Sequence, residues 1–378
     1  MSSTALRQSL LPAARRLVVK IGTQLVTTTS GDGTRLDLAY IRRIAGQVAR
    51  LRERGCEVTL VSSGAVGAGC LELGLTERPR DIADLQAIAA VGQRRLMAHM
   101  NQAFQRHGLK VGQMLLTRGD FDDRTRFLNI RNCVTRLHEL GCVPILNEND
   151  TVAVDEIRFG DNDLLAALMA TAIRADVLIL LTNVAGLLDA EGRVVDIVEN
   201  ANDHLGLARD ERSTWGSGGM ASKLEAARVV TEAGELAIIA DGRERDVLGQ
   251  LLAGRPLGTV FVPARRKLDA RQRWIGLTAR PAGALIIDDG AARALRQRGK
   301  SLLATGITQI KGAFQRGDVL IVRDMGGREL GRGLTNYPAD ELELIKGKRS
   351  SQFAAILGRG AFDEVIHRNN LVLLRNGA

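Results

Sequence analysis

The chain has 378 residues, 45% of them apolar and only 3% aromatic, which gives it the length for two or three domains and an aliphatic core. No apolar run reaches the roughly 18 residues that a membrane span needs, and four cysteines without a CxxC pair argue against a zinc or disulfide framework and fit a reducing, cytoplasmic setting. The net charge of +9 is uneven: residues 1–265 carry 32 basic and 32 acidic side chains and residues 266–378 carry 20 and 11, a neutral module followed by a basic one.

The N-terminus has no acidic residue before Asp32, but a strand pattern already begins at Leu17, which leaves too little for most targeting peptides. From there β-rich apolar runs alternate with helical periodicity. Strands are expected at 17–21, 58–61, 110–117, 143–146, 177–181 and 236–240, and helices at 38–54, 64–73, 82–107, 126–140, 164–173 and 223–233. This rhythm predicts a three-layer α/β/α domain over residues 15–264, with an open, mostly parallel sheet and a ligand beyond the C-terminal ends of its strands. Residues 265–282, rich in arginine, read as a basic linker. From 283 to 372, short runs such as 284–287 and 319–322 alternate with glycines and predict a small β-barrel.

Five stretches could carry chemistry. Lys20-Ile21-Gly22-Thr23 closes the first strand, where Gly22 admits a phosphate and Lys20 supplies a point charge. Ser62-Ser63-Gly64 follows the second strand, and a helix starting near Gly64 would aim its N–H groups at an anion. Plain α/β turns look the same. The loop GSGGMASK at 216–223 leads into a helix with Lys223 in its first turn, a position the helix dipole disfavours unless an anion binds there; a surface loop is the alternative. Asn147-Glu148-Asn149-Asp150 and Phe159-Gly160-Asp161-Asn162-Asp163 offer carboxylates for an ammonium and amides for a carboxylate, as a zwitterionic small molecule requires, with turn chemistry as the competing explanation. P-loop, GxGxxG, protein-kinase and GxSxG patterns are absent, and the five histidines show no metal spacing, so no protein-held metal is expected.

The motifs VVKIGT (18–23), VSSGAVGAG (61–69), VGQMLLTR (111–118), NENDTV (147–152), FGDND (159–163) and GSGGMASK (216–223) together resemble the amino acid kinase family, with NENDTV and FGDND characteristic of its glutamate 5-kinase branch. Gly299 to Leu303 and Phe314 to Val319 are similar to the PUA module that follows the kinase domain in many bacterial members, so the resemblance runs from about residue 17 to the C-terminus. It implies ATP-dependent phosphorylation of the side-chain carboxylate of L-glutamate to L-glutamyl 5-phosphate, the first step of proline biosynthesis, with Mg²⁺ arriving on ATP. A carboxylate of pKa ~4.3 is already a nucleophile at neutral pH, so no general base is needed.

Carried over residue by residue, the resemblance implies that Lys20, Lys223, Asp161 and Asp163 are catalytic, either aspartate being able to hold the lysines. It implies that Ser63, Asn147, Asp150 and Asn162 bind the substrate, Asp150 taking its ammonium. Lys20, Gly22, Thr182, Asn183, Ser217, Gly218, Gly219, Met220, Ala221, Ser222 and Lys223 match the nucleotide site. Asn183 stands where the family usually has Asp, and Ser217 and Ser222 where it usually has Thr. The resemblance further implies a homo-oligomer (dimer or tetramer), proline as feedback inhibitor, and glutamyl-5-phosphate reductase as functional partner. RNA would suit the basic C-terminal module, but five aromatics beyond residue 265 leave few stacking platforms, and a structural or regulatory role is preferred. Other acceptors (acetylglutamate, aspartate, carbamate, a nucleoside monophosphate) and an RNA-binding protein with a vestigial kinase half are the competing functions.

Overall fold

A computed structural model of the chain describes residues 3–30, 33–75, 77, 79–152, 162–204, 219–263, 270–358 and 362–374. The chain divides into two compact units, Met1–Phe121 with Thr125–Lys267, and Asp122–Arg124 with Leu268–Ala378.

In the first unit the strands are β1 (Arg16–Ile21), the hairpin β2 (Thr27–Ser30) and β3 (Gly33–Leu36), β4 (Glu57–Ser62), β5 (Val111–Leu116), β6 (Val143–Glu148), β7 (Val177–Thr182), β8 (Ile197–Val198), β9 (Leu236–Asp241) and β10 (Thr259–Phe261). Eight of them form one sheet in the order β5-β6-β4-β1-β7-β9-β10-β8. Neighbours from β5 to β9 are parallel, and β10 runs antiparallel to β9. β1 is central, with Ile21 facing Ser62 on β4 and Leu181 on β7. Successive strands leave β1 first on one side and then on the other, which opens a crevice at its C-terminal end.

The central strands are unbroken apolar runs because helices cover both faces. Leu17, Val19, Leu60, Ile179 and Leu181 are fully buried and meet Ile44 and Val48 of the helix Leu38–Glu53 and Phe104 of the helix Ile82–Gln105. Asp37 and Asp81 cap these two helices by accepting backbone N–H bonds. The helix Asn162–Ile173 packs on β1, β4, β6 and β7 and is buried almost all round, consistent with its lack of an amphipathic pattern. No described helix is long and apolar enough to cross a membrane.

The N-terminal segment, read above only as too short for targeting, begins with a helix, Ser3–Leu10. Its Arg7 is fully buried; the guanidinium pairs with the Asp196 carboxylate and donates to the carbonyls of Leu257 at 2.8 Å and Gly258 at 2.6 Å. Five N–H donors in a fixed fork can satisfy several carbonyls at once, so arginine tolerates this burial.

The second unit has its own sheet of β11 (Gly283–Ile287), β12 (Ile307–Lys311), β13 (Val319–Arg323), β14 (Glu329–Leu334) and β15 (Leu371–Leu373), in the order β12-β11-β13-β14-β15. Leu285, Ile287, Leu320, Tyr337, Phe353 and Ile366 form its separate core. Three helices, Asp289–Arg298, Ala339–Ile345 and Phe353–Leu357, accompany strands that the sequence reading had joined by turns alone. Within the stretch read as a linker, residues 270–278 are helical, with Trp274 and Ile275 buried.

Candidate active site

The C-terminal rim of the sheet gathers most of the residues flagged by the sequence. Lys20 lies one residue before the end of β1, and Lys223 in the first turn of the helix Met220–Ala233. Both are buried and converge on Asp163, in the first turn of the helix Asn162–Ile173. Lys20 Nζ is 2.6 Å from Asp163 Oδ1 and Lys223 Nζ is 3.1 Å from Oδ2, which also accepts the Ser222 hydroxyl at 2.8 Å. Burial would push the Asp163 carboxyl up. The Lys20 and Lys223 ammonium groups, with hydrogen bonds from Lys20 and Ser222, outweigh burial and hold it well below the usual carboxylate range. The first-turn lysine that looked anomalous in the sequence thus has a carboxylate partner within the fold.

Beside this ionic cluster runs a chain of amides. Asn162 Nδ2 donates to Ser63 Oγ at 2.9 Å and to Asn147 Oδ1 at 3.0 Å. Asn147 Oδ1 also accepts the backbone N–H of Glu148 at 2.9 Å, and Asn147 Nδ2 donates to Gln93 Oε1 at 2.7 Å. Asp150 is half-buried in the turn after β6, a turn held by Asn149 N–H donating to Leu116 O at 2.9 Å. The glycines act through their backbones. Gly22 N–H donates to Leu181 O at 3.1 Å, and Gly64 starts the helix Ala65–Glu72 at φ 107°, where a side chain would be strained. Thr182 ends β7 and is buried, with half-buried Asn183 following.

Lys20, Gly22, Ser63, Asn147, Asp150, Asn162, Asp163, Thr182, Asn183, Gly219, Met220, Ala221, Ser222 and Lys223 therefore sit at or just beyond the C-terminal strand ends or in the first turns of the two helices that bear Asp163 and Lys223. Asp161, Ser217 and Gly218 lie outside the described residues. Gln93 is the participant that the sequence reading missed. It occupies the stripe of Leu85, Ile88, Ala89, Leu96 and Met100 on the helix Ile82–Gln105, and a lone polar residue on a buried stripe was the available signal.

A mostly parallel sheet with paired lysines and an amide cluster at its topological switch point defines the chain as an α/β protein of the open, doubly wound kind. The pattern of the amino acid kinase family matches residues 15–241, and that of the PUA domain matches residues 283–357. The chain belongs to the amino acid kinase family. Among relatives, it is 47% identical over 368 residues to the glutamate 5-kinase of Cyanothece sp., covering 94% of this chain and 99% of that one. It is 48% identical over 368 residues to the glutamate 5-kinase of Gloeobacter violaceus, covering 95% and 99%. Among solved structures, Giardia carbamate kinase aligns with a TM-score of 0.47 at 18% identity, over 67% of this chain and 100% of that one.

Proposed function

We propose that the chain transfers the γ-phosphoryl group of ATP to the side-chain carboxylate of L-glutamate, giving L-glutamyl 5-phosphate and ADP, the opening step of proline biosynthesis. The observation that carries this reading is the convergence of Lys20 and Lys223 on Asp163 beside the Ser63–Asn162–Asn147 chain. One substrate carboxylate oxygen bonds to the γ-phosphorus as the β,γ-bridging P–O bond breaks, and the electron pair leaves on ADP. Two anions must approach each other, so the main task is to place positive charge and fix orientation. Lys20 and Lys223 meet that need, with Asp163 holding both in place. Ser63, Asn147, Asp150 and Asn162 are assigned to the amino acid, and Gly22, Thr182, Asn183 and residues 217–223 to the nucleotide.

Mg²⁺ fits this site as a companion of ATP: both oxygens of Asp163 are engaged by ammonium groups, so the ion would keep mainly phosphate and water as its ligands. Bound there it would neutralise charge on the phosphate oxygens. The reading extends to a cytoplasmic homo-oligomer, feedback inhibition by proline at the amino-acid pocket, and handover of the acyl phosphate to glutamyl-5-phosphate reductase. The test is ADP release by the purified chain with ATP and Mg²⁺ against a panel of L-glutamate, acetylglutamate, aspartate, carbamate and a nucleoside monophosphate, with hydroxylamine trapping any acyl phosphate. Turnover dependent on L-glutamate with a trapped hydroxamate is expected; turnover with another acceptor alone would refute the assignment.

A further inference from the structure

Gln93 is 8% exposed and lies outside every motif that marked the site. The hydrogen bonds around it have a fixed direction. The backbone N–H of Glu148 can only donate, so the amide atom of Asn147 that meets it at 2.9 Å must be the oxygen. Asn147 Nδ2 then points to Gln93, which must offer Oε1, and Asn162 must turn its own Nδ2 toward Asn147 Oδ1. That nitrogen also serves Ser63 Oγ. Asn162 Oδ1 is left facing away from the chain, buried and with no hydrogen-bond partner among the described residues. A buried acceptor without a donor is destabilising, and an ammonium group would supply the missing donor.

We propose that Gln93 is a positioning residue for amino-acid recognition: by fixing the Asn147 amide, and through it Asn162, it presents Asn162 Oδ1 as an acceptor for the substrate ammonium. The inference rests on the reading that this rim binds L-glutamate. Gln93 reaches the rim because Gly92 beside it allows close helix contact; a Cβ at Gly92 would lie 1.9 Å from Ala65 O and 2.3 Å from Gly69 N.

The test uses the full chain and Gln93→Met, which keeps the length of the side chain and removes the acceptor. The KM for L-glutamate is expected to rise about tenfold, the effect of one lost buried hydrogen bond, with the KM for ATP within about twofold. Added to Asn147→Ala, the same substitution should produce no further rise, because Gln93 acts through Asn147. An unchanged glutamate KM, an equal rise in both KM values, or additive effects in the double variant would overturn the proposal. If Gln93→Met folds poorly, Gln93→Glu, which retains an acceptor oxygen, should stay within about threefold of the parent for glutamate, and a tenfold rise there would overturn it as well. Absence of glutamate-dependent ADP release in the unsubstituted chain would instead overturn the functional reading, and this inference with it.

Discussion

Asp163 is the residue on which the ionic cluster turns. Its two oxygens meet two buried ammonium groups at 2.6 and 3.1 Å. Removing one member of a buried ionic cluster is far more damaging than never having built it, because the remaining charges stay desolvated. Asp163→Asn is therefore expected to cost about 3–5 kcal/mol of stability, read as a lower urea midpoint, and to abolish turnover. A variant as stable as the parent would contradict the cluster. Lys223→Met leaves the Lys20–Asp163 pair intact, so its main effect should fall on the reaction: kcat down about 10²–10³-fold, with the glutamate KM changed only a few-fold. The depressed Asp163 pKa gives the sign of any pH effect. Its stabilising contribution is present above the ordinary carboxylate pKa and is lost only as pH falls through the lower folded value. At this scale the sequence revealed Lys20 and Lys223 through their positions after a strand and at a helix start. It gave no choice between Asp161 and Asp163, which share a side chain two residues apart. Asp163 meets both lysines from the start of the helix Asn162–Ile173, a placement that appears only in three dimensions.

Between elements, the contact of the helices Ala65–Glu72 and Ile82–Gln105 depends on two glycines that meet face to face. A Cβ at Gly69 would lie 1.9 Å from Ile88 O, and one at Gly92 would collide with Ala65 O. Backbone atoms cannot move aside as a flexible side chain can, so Gly92→Ala must separate the helices. The expected cost is about 1–3 kcal/mol or more, accompanied by weaker glutamate binding as Gln93 is displaced, and calorimetry with steady-state kinetics reads both. A second interface buries a histidine. His138 of the helix Arg124–Glu139 meets the Thr59 hydroxyl of β4 at 2.9 Å, and burial, with Arg52 and Arg16 adding to it and Glu57 opposing, pushes its pKa down to about 4. The native state then binds this proton later than the unfolded chain, whose histidine titrates near 6.5. Stability from His138 is complete above about pH 6.5 and falls between about 6.5 and 4, by on the order of 1–2 kcal/mol after solvent screening. Urea unfolding at pH 7.5 and 5 should show this loss in the parent and a smaller one in His138→Gln. Six parallel strands and their helices were legible because each central strand is an apolar run and covering helices such as Leu38–Glu53 keep their period, while Asn162–Ile173 is apolar nearly all round. The two- to four-residue strands β2, β3, β8 and β10 were not: β8 and β10 pair with partners distant in sequence, and the local hairpin of β2 and β3 lacks an apolar run. Nor was the N-terminal helix, whose main anchor is a single arginine reaching carbonyls some 250 residues away.

For the whole molecule, charge and chemistry are divided between the two units. The basic excess lies beyond residue 265, whereas every described site residue belongs to the first unit and lies within residues 1–265, where 32 basic and 32 acidic side chains balance. Leu17, Ile44, Phe104, Leu181 and Val260 form one core there, and Leu285, Leu320, Tyr337 and Phe353 another in the second unit. A unit with its own core and a full set of site residues should not need the other for chemistry. The chain ended after Pro263 keeps β10 and the bond from Val262 N–H to Val198 O at 2.9 Å, so the sheet closes as in the full chain. This shortened chain is expected to unfold cooperatively and to retain glutamate-dependent ADP release within about tenfold of the full protein, because positioning and charge, the main sources of rate here, are local. Its response to proline and its oligomeric state are the properties expected to change if the basic unit is regulatory; measuring both by inhibition curves and light scattering separates that role from catalysis. A folded but inactive 1–263 chain would show that the second unit supplies part of the catalytic machinery and would overturn the division argued from the two cores.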